Sequence, residues 1–241
     1  MRLAVRVKDL VKRYKNFTAV RGISFEIREG EIFGLIGPNG AGKTTTLRII
    51  ATLLRPTSGE VSVFGYDITK DAEKIRALIS YLPEEAGAYK DMTGIEYLKF
   101  MAEVYGVDDS SALDKAIEIA DLGPDIYNKV GTYSKGMIRK LLLARALMTA
   151  PKLAILDEPT SGLDVINAVR IRNIIKNERN RGTTFLISSH NMLEVAYLCD
   201  RVAIIHKGRI FEIGSPEELM RKYDVDNLEE VFQRVVISVE E

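Results

Sequence analysis

The segment from Gly37 to Thr44 has the residue types and spacing needed to hold a chain of phosphates. It reads Gly-Pro-Asn-Gly-Ala-Gly-Lys-Thr, a glycine and four residues followed by Gly-Lys-Thr. Glycines let the backbone turn tightly so that successive N–H groups point at one anion, and the positive end of a following helix adds to the attraction. Lys43 is expected to reach the β- and γ-phosphates and Thr44 to hold Mg²⁺. The predicted phosphate contacts are Gly37, Pro38, Asn39, Gly40, Ala41, Gly42, Lys43, Thr44 and Thr45.

Two carboxylates that follow an apolar strand form the second candidate group. Residues 153–156 are apolar, and Asp157 and Glu158 come directly after them. Two acids after a strand are usually a solvated strand end, but in a chain with a phosphate loop they suit a magnesium site. Asp157 is expected to lie in the Mg²⁺ shell, and Glu158 is expected to polarise a water for in-line attack on the γ-phosphate. The pair therefore predicts hydrolysis of a bound nucleotide.

Hydrophobic periodicity indicates the elements that must position these residues. Strands are predicted at 3–8, 23–27, 31–36, 61–64, 78–82, 152–156, 183–188 and 202–205. Helices are predicted at 44–54, 95–105, 111–121, 137–149 and 165–180, with a last one around 228–235. Strands alternating with helices predict a largely parallel, twisted sheet that carries the phosphate loop at the carboxyl end of a strand. The helical middle is interpreted as an insertion into this α/β core.

Composition limits the class of protein. The chain has 34 Lys and Arg against 34 Asp and Glu, so its formal net charge of zero gives no reason to expect nucleic acid as the main partner. Cys199 is the single cysteine, which excludes an internal disulfide and predicts a small core residue. No segment reaches the roughly 18 uncharged apolar residues of a membrane span, and the N-terminus does not resemble a secretory signal. A chain that is soluble by itself is expected.

Four further segments, in order along the chain, resemble motifs of the ATP-binding subunits of ABC transporters. Residues 133–137, Tyr-Ser-Lys-Gly-Met, resemble the family's Leu-Ser-Gly-Gly-Gln signature, and residues 161–164, Ser-Gly-Leu-Asp, resemble its D-loop. His190 matches the switch histidine, and Tyr14 has a spacing to the phosphate loop that suits the adenine-stacking aromatic. The resemblance runs from about residue 3 to residue 220. A phosphate loop alone indicates only a nucleotide-binding protein, whereas the ordered set is highly specific.

The resemblance implies a fold and a function. The fold is a P-loop NTPase (RecA-like) α/β core with a parallel sheet, an N-terminal antiparallel β subdomain and an inserted α-helical subdomain at about 86–150. Residues 1–220 would be the ATP-binding cassette and 221–241 a short C-terminal tail. The function is that of an ATPase motor subunit, which dimerises head to tail around two Mg-ATP molecules and drives export by a separate integral membrane permease. Its dimer partner would be a second copy or a paralogue, at the cytoplasmic face of the cell membrane.

Residue roles that the resemblance implies are shared between two subunits. Ser134 and Gly136 would contact the γ-phosphate held by the other subunit, and Asp164 would lie at the dimer interface. Alternatively Ser134 and Asp164 are ordinary helix caps, and both roles are compatible because a cap site is also an anion site. In the chain's own site, His190 would hydrogen-bond the γ-phosphate and the attacking water, and so act with Glu158 and Lys43.

Two aromatic or apolar residues are expected near the base. Tyr14 would stack on adenine, and Val20 would pack near the base or the ribose. A half-exposed tyrosine at a strand end is the alternative for Tyr14. The second histidine, His206, is interpreted as a structural residue at a strand end.

Two positions depart from the family pattern. Glu84 stands where the family usually has a glutamine, in the stretch Tyr-Leu-Pro-Glu-Glu, and is expected to bind Mg²⁺ more strongly but to repel phosphates. The signature has Lys135 and Met137 in place of glycine and glutamine. Lys135 either adds charge near the γ-phosphate or points into solvent, and solvent is the favoured alternative. Glu84 is thus a predicted nucleotide and metal contact.

Rival functions are disfavoured by the same segments. The stretch around Glu84 and the short tail look most like drug-, polysaccharide- or ion-export ATPases. A soluble ABC ATPase that acts on ribosomes or DNA is the alternative, but such proteins usually have two cassettes or long coiled coils. A GTPase is disfavoured because residues 128–131, Asn-Lys-Val-Gly, lack the aspartate of its guanine-reading motif. A phosphoryl-transfer kinase is disfavoured because Glu158 suits water as the acceptor. The transported substrate is not encoded in this chain.

Overall fold

The computed structural model describes residues 2–107 and 110–240. Its strands are β1 (Leu3–Tyr14), β2 (Phe17–Arg28), β3 (Ile32–Ile36), β4 (Ser58–Val63), β5 (Tyr66–Asp67), β6 (Ile79–Leu82), β7 (Leu153–Asp157), β8 (Thr184–Ser189), β9 (Arg201–His206) and β10 (Arg209–Gly214). Its α-helices are α1 (Lys43–Ile50), α2 (Ala72–Arg76), α3 (Gly94–Val104), α4 (Ser110–Ala120), α5 (Lys135–Leu147), α6 (Val165–Asn180), α7 (Met192–Leu198), α8 (Pro216–Tyr223) and α9 (Leu228–Glu240).

A six-stranded sheet in the order β10-β9-β3-β8-β7-β6 forms the centre of the fold. All neighbouring strands are parallel except β10, which pairs with β9 in antiparallel fashion. Every residue of β3, β7 and β8 is buried, because helices cover both faces of a parallel sheet. The predicted parallel sheet is confirmed, and the five predicted strands in it agree with the structure to within one residue at each end. Its carboxyl edge gathers the segments that follow β3, β6, β7 and β8.

The N-terminal antiparallel sheet, in the order β2-β1-β4-β5, packs beside this core. The strands predicted at 3–8 and 23–27 are too short, since β1 and β2 form one long hairpin of 12 residues each. The register of that hairpin shifts between Val7 and Leu10, and Asp9 has a φ of 50°. Such a bulge breaks the alternation of apolar and polar residues on which the prediction rests.

The inserted helical subdomain lies between β6 and β7 in the chain, as predicted. α3, α4 and α5 bury apolar residues in one shared cluster. α3 begins with a capping box in which the side chains of Thr93 and Glu96 each bond the other's backbone N–H. α1 ends at Ile50, four residues before the predicted end, because Thr52 has a φ of 61° and leaves the helical conformation.

The C-terminal segment joins the same core. Leu228, Val231 and Val235 of α9 are buried against the cluster that contains the central sheet. The Phe232 ring lies edge-on to the His206 ring, with 6.3 Å between centroids, which supports the structural interpretation of His206. Cys199 is buried, as predicted for a core residue. None of the described helices is long and apolar enough to cross a membrane.

Candidate nucleotide-binding and hydrolytic site

The phosphate loop is the turn from β3 into α1, and its backbone geometry requires glycine at two points. A Cβ on Gly37 would lie 2.0 Å from the Ile205 carbonyl oxygen, so no side chain fits there. Gly42 has a φ of 107°, and a Cβ on it would lie 2.6 Å from the Ala19 carbonyl oxygen. α1 starts at the next residue, which directs its first N–H groups toward the loop. The strand–loop–helix context that the sequence predicts is present.

Lys43 is buried at the mouth of this loop. Its Nζ donates to the carbonyl oxygens of Gly37 at 2.7 Å and Pro38 at 3.3 Å. The same Nζ lies 3.2 Å from Glu158 Oε1. A cavity of about 180 Å³ adjoins it and is lined by residues from the loop together with Phe17, Ala19, Glu84 and Glu158. The ammonium is therefore placed to meet phosphate oxygens that enter the cavity.

Asp157 is held by three hydroxyl groups. Thr44 Oγ1 donates to Asp157 Oδ1 at 3.2 Å, Ser188 Oγ donates to the same oxygen, and Tyr81 OH lies 3.5 Å from Oδ2. Burial raises the pKa of the Tyr81 phenol, and the nearby Arg48 guanidinium opposes this effect. Ser188 and Tyr81 were not singled out from the sequence, although each lies on a strand neighbouring β7.

A hydroxyl and a carboxylate side by side fit magnesium. Mg²⁺ in phosphate sites is held by one or two protein oxygens, several waters and the substrate phosphates. Thr44 and Asp157 supply such a pair, and in the described part of the chain no three or more His, Cys, Asp or Glu side chains are grouped so that they could hold a metal ion by themselves. Glu84 also lines the phosphate cavity, and its Oε1 accepts the Ser161 hydroxyl at 3.3 Å; its contact with Mg²⁺ stays a prediction.

The side chain of Glu158 is oriented by an unusual backbone conformation. Its φ is 48°, a left-handed conformation that costs an ordinary residue about 1–2 kcal/mol. Its N–H donates to Ser188 Oγ at 2.9 Å, which anchors the strained residue to β8. Its two carboxylate oxygens then contact Lys43 and His190, with 2.8 Å between Oε2 and His190 Nδ1. The three predicted catalytic residues are thus brought together around one carboxylate.

Arg139 of α5 is a site residue that the sequence analysis missed. Its side chain is 8% exposed and donates to five backbone carbonyl oxygens at 2.8–3.2 Å, namely those of Pro83, Glu84, Asp157, Glu158 and Pro159. Burial lowers the pKa of Arg139, and the charges of Asp157 and Glu84 oppose this effect. Arg139 thereby fastens the end of β6 to the end of β7. No pattern in the sequence singles it out, because α5 also contains Lys140 and Arg145.

The two residues predicted around the base, Tyr14 and Val20, are not among the residues that line the phosphate cavity. Tyr14 is 44% exposed, and Lys12 Nζ lies 5.1 Å from its ring centroid on one face. Val20 is fully buried and cannot offer a surface to a base. Phe17 and Ala19 line the cavity instead. The alternation of β2 explains the correction, because Val20 points into the core that underlies the loop.

The signature and D-loop segments pack on each other within the chain. Ser134 Oγ accepts from the N–H of Met137 at 3.2 Å, and Asp164 Oδ1 accepts from the N–H of Asn167 at 2.9 Å, so both predicted caps are confirmed. A Cβ on Gly136 would lie 2.5 Å from the Asn167 side chain. Ser134 and Gly136 are not among the residues that line the phosphate cavity of the same chain.

Lys135 does not simply extend into solvent. It is an exposed residue, but its Nζ lies so close to Gly162 that a Cβ there would be 2.1 Å from it. The expected exposure of Lys135 is observed, and its side chain in addition folds back over the D-loop turn.

Comparison with known proteins places this site in a family. Residues 20–161 match the family described as ABC transporter. The bacitracin transport ATP-binding protein BcrA of Bacillus licheniformis is 38% identical over 213 residues, which cover 88% of this chain and 70% of BcrA. The fluoroquinolones export ATP-binding protein MT2762 of Mycobacterium tuberculosis is 41% identical over 219 residues, which cover 89% of this chain and 72% of that protein.

A solved structure has a similar fold over most of this chain. It is the dimeric, post-hydrolysis state of the ATP-binding cassette MJ0796 bound to ADP and Pi, with a TM-score of 0.78 and 25% identity. The alignment covers 88% of this chain and 98% of that one. The family match, the relatives and the Lys43–Glu158–His190 arrangement lead to one conclusion: this chain belongs to the ATP-binding subunits of ABC transporters, a family of ATPases.

Proposed function

We propose that the chain is the motor subunit of an exporter, dimerising head to tail around two Mg-ATP molecules and driving a separate integral membrane permease. The observation that carries this proposal is the Glu158 carboxylate, held between Lys43 and His190 at the phosphate loop. A carboxylate there can accept a proton from a water attacking the γ-phosphate. Because Ser134 and Gly136 lie outside this cavity, a second subunit would have to supply the signature contacts. That subunit is another copy of the chain or a paralogue.

Each residue has a defined part in ATP hydrolysis. Thr44 and Asp157 would hold Mg²⁺, which when bound neutralises charge on the phosphate oxygens. Lys43 would exchange its contacts with the Gly37 and Pro38 carbonyl oxygens and with the Glu158 carboxylate for phosphate oxygens, and so release Glu158. His190, 49% exposed at its side chain, is accessible to the γ-phosphate while its Nδ1 stays on Glu158. Tyr14 offers adenine the ring face that Lys12 does not cover.

The substrate class is proposed from the relatives. One is named for bacitracin transport and another for fluoroquinolone export. A partner permease that exports drug-like molecules, with this chain at the cytoplasmic face of the membrane, is therefore our proposal. Action on ribosomes or DNA is the alternative, and the zero formal net charge of the chain does not favour it.

Everted membrane vesicles from the source cells test this function. After the vesicles are washed free of the chain, purified wild-type protein should restore ATP-dependent accumulation of a fluorescent fluoroquinolone. Glu158→Gln should bind the same vesicles without restoring it. Recovery of the chain with ribosomes, with no effect on accumulation, would instead support the alternative.

Replacing Glu84 with glutamine should retain ATP binding and change how strongly the membrane partner stimulates turnover. The segment around Glu84 is where the family senses its partner, and the substitution removes one negative charge near the phosphates. ATP hydrolysis with and without partner-containing membranes measures the effect. Glu85→Gln is the matched control, and equal stimulation of wild type and Glu84→Gln would contradict the expectation.

Replacing Gly136 with alanine should reduce ATP hydrolysis by roughly 10²-fold, the loss typical of one misplaced transition-state donor. The added Cβ would overlap the Asn167 side chain, which would have to move together with the Asp164 cap. Phosphate release measures the effect. Gly87→Ala is the control, because a Cβ on Gly87 meets nothing within 4 Å, and similar activities of the two variants would contradict the account.

A further inference from the structure

A charged cavity of about 340 Å³ lies between the segment that follows β6 and the start of α5. Its charged lining residues are Glu84, Glu85, Lys135, Arg139 and Glu158. Two of them are the positions at which the sequence departs in charge from the family pattern. Glu84 puts a carboxylate in place of an amide, and Lys135 puts an ammonium in place of a glycine hydrogen. The two departures therefore have opposite charge and face one cavity.

Both departures contact the same short turn, Ser161–Gly162, which follows Glu158. Ser161 Oγ donates to Glu84 Oε1 at 3.3 Å. Lys135 Nζ covers the Cα of Gly162, whose φ is 66°. One charged side chain thus holds the turn at its hydroxyl and the other packs on its glycine.

Arg139 has no hydrogen-bond donor left for the Glu84 carboxylate. The five N–H groups of its guanidinium all donate to backbone carbonyls, and a guanidinium has no further donors. Among the residues that line this cavity, Lys135 is then the cation with an uncommitted head group. It faces a lining that contains three carboxylates, Glu84, Glu85 and Glu158.

We propose that Glu84 and Lys135 are a charge-compensated pair of positioning residues that sets the Ser161–Gly162 turn. The turn connects Glu158 to Asp164, so the pair acts on the catalytic carboxylate and on the D-loop together. Each charge is tolerated because the other is present. Without Lys135, Glu84 adds repulsion against the γ-phosphate; without Glu84, the turn loses its hydroxyl partner and Lys135 its counter-charge. This inference rests on the proposed ATP site.

A double-mutant cycle on the full chain tests the pair through kcat and KM for Mg-ATP. Lys135→Met, which keeps the aliphatic packing, should raise KM about tenfold, whereas Glu84→Gln should mainly lower kcat, by about fivefold. The double variant should have a kcat/KM at least about fivefold above the product of the two single effects. This coupling should shrink between about 0.05 M and 0.5 M salt, because the two side chains are not fully buried. If the kcat/KM of the double variant lies within about twofold of the product of the two single effects, the two residues act independently and the proposed pair is overturned.

A control cycle and a nucleotide-binding measurement separate failure of the pair from failure of the ATP site. Glu85→Gln combined with Lys135→Met is the matched control cycle, since Glu85 lines the same cavity but Glu84 accepts the Ser161 hydroxyl. In this control cycle the fold-changes of the two single variants in kcat/KM should multiply. Equal coupling of Lys135 to Glu85 and to Glu84 would show that Lys135 acts on the total charge of the cavity, and would overturn the specific pair. Binding of a fluorescent ATP analogue to the wild type is measured in parallel. Absence of binding would overturn the ATP site itself, whereas binding with a multiplicative cycle would overturn only the pair.

Discussion

Replacing Glu158 with glutamine should lower kcat for ATP hydrolysis by about 10³-fold, within the range by which general-base catalysis accelerates such steps. Glutamine has nearly the same shape, so contact with His190 and the backbone anchor at Ser188 can persist. It cannot accept a proton from the attacking water. Because the substitution also removes the ion pair at 3.2 Å, Lys43 becomes freer to meet phosphate, and Mg-ATP binding should be retained or strengthened. Phosphate release and nucleotide binding, measured on the same preparation, check both parts.

Glu85→Gln is the control for the Glu158 prediction. It removes a carboxylate that lines the neighbouring cavity and lies away from Lys43 and His190. Its kcat should stay within about twofold of the wild type, because Glu85 is exposed and neither activates the water nor holds Lys43 or His190; about twofold corresponds to only about 0.4 kcal/mol. A Glu158→Gln protein that hydrolyses ATP within tenfold of the wild-type rate would show that another group activates the water.

Replacing Arg139 with methionine should destabilise the fold by about 3–5 kcal/mol, the range for breaking a buried charged network. Methionine fills much of the space but leaves five carbonyl oxygens without their donor. Two of these belong to Asp157 and Glu158, so hydrolysis should fall even under conditions in which the variant stays folded. Urea unfolding gives the free energy, and ATP hydrolysis below the unfolding transition gives the second effect.

Arg145→Met is the matched control, because Arg145 lies on the same helix, α5, but on a different face from Arg139. Arg145 donates to the single hydroxyl of Tyr97 at 3.1 Å, so its replacement should cost only about 1–2 kcal/mol and leave hydrolysis nearly intact. Arg139→Lys should lie between the two, because an ammonium has three donors instead of five. If Arg139→Met and Arg145→Met were equally stable and equally active, the bridging role of Arg139 would be wrong.

The parts of the site that the sequence predicted are local patterns. The phosphate loop needs one strand, eight consecutive residues and one helix, all contiguous in the chain. Asp157, Glu158 and His190 each follow an apolar strand, and parallel strands bring their carboxyl ends to one edge whatever their separation in sequence. For these residues the sequence motifs and the parallel sheet topology both predict that the side chains meet at the carboxyl edge of the sheet.

The parts that it missed depend on contacts that leave no pattern in side-chain types. Arg139 binds carbonyl oxygens 18 to 56 residues away, and any residue type supplies such an acceptor. Lys135 is exposed, as expected, but its position over Gly162 depends on how the start of α5 lies beside the turn before α6, which the sequence does not show. The length of β1 was hidden by the bulge at Asp9.

The central claim is that two copies of this site close around ATP. Light scattering of Glu158→Gln with and without Mg-ATP tests it most directly, because this variant should bind ATP and hydrolyse it too slowly to reopen. We expect a mass near 27.0 kDa without nucleotide and twice that value with Mg-ATP. A mass that stays at 27.0 kDa while bound ATP is detected on the protein would contradict it.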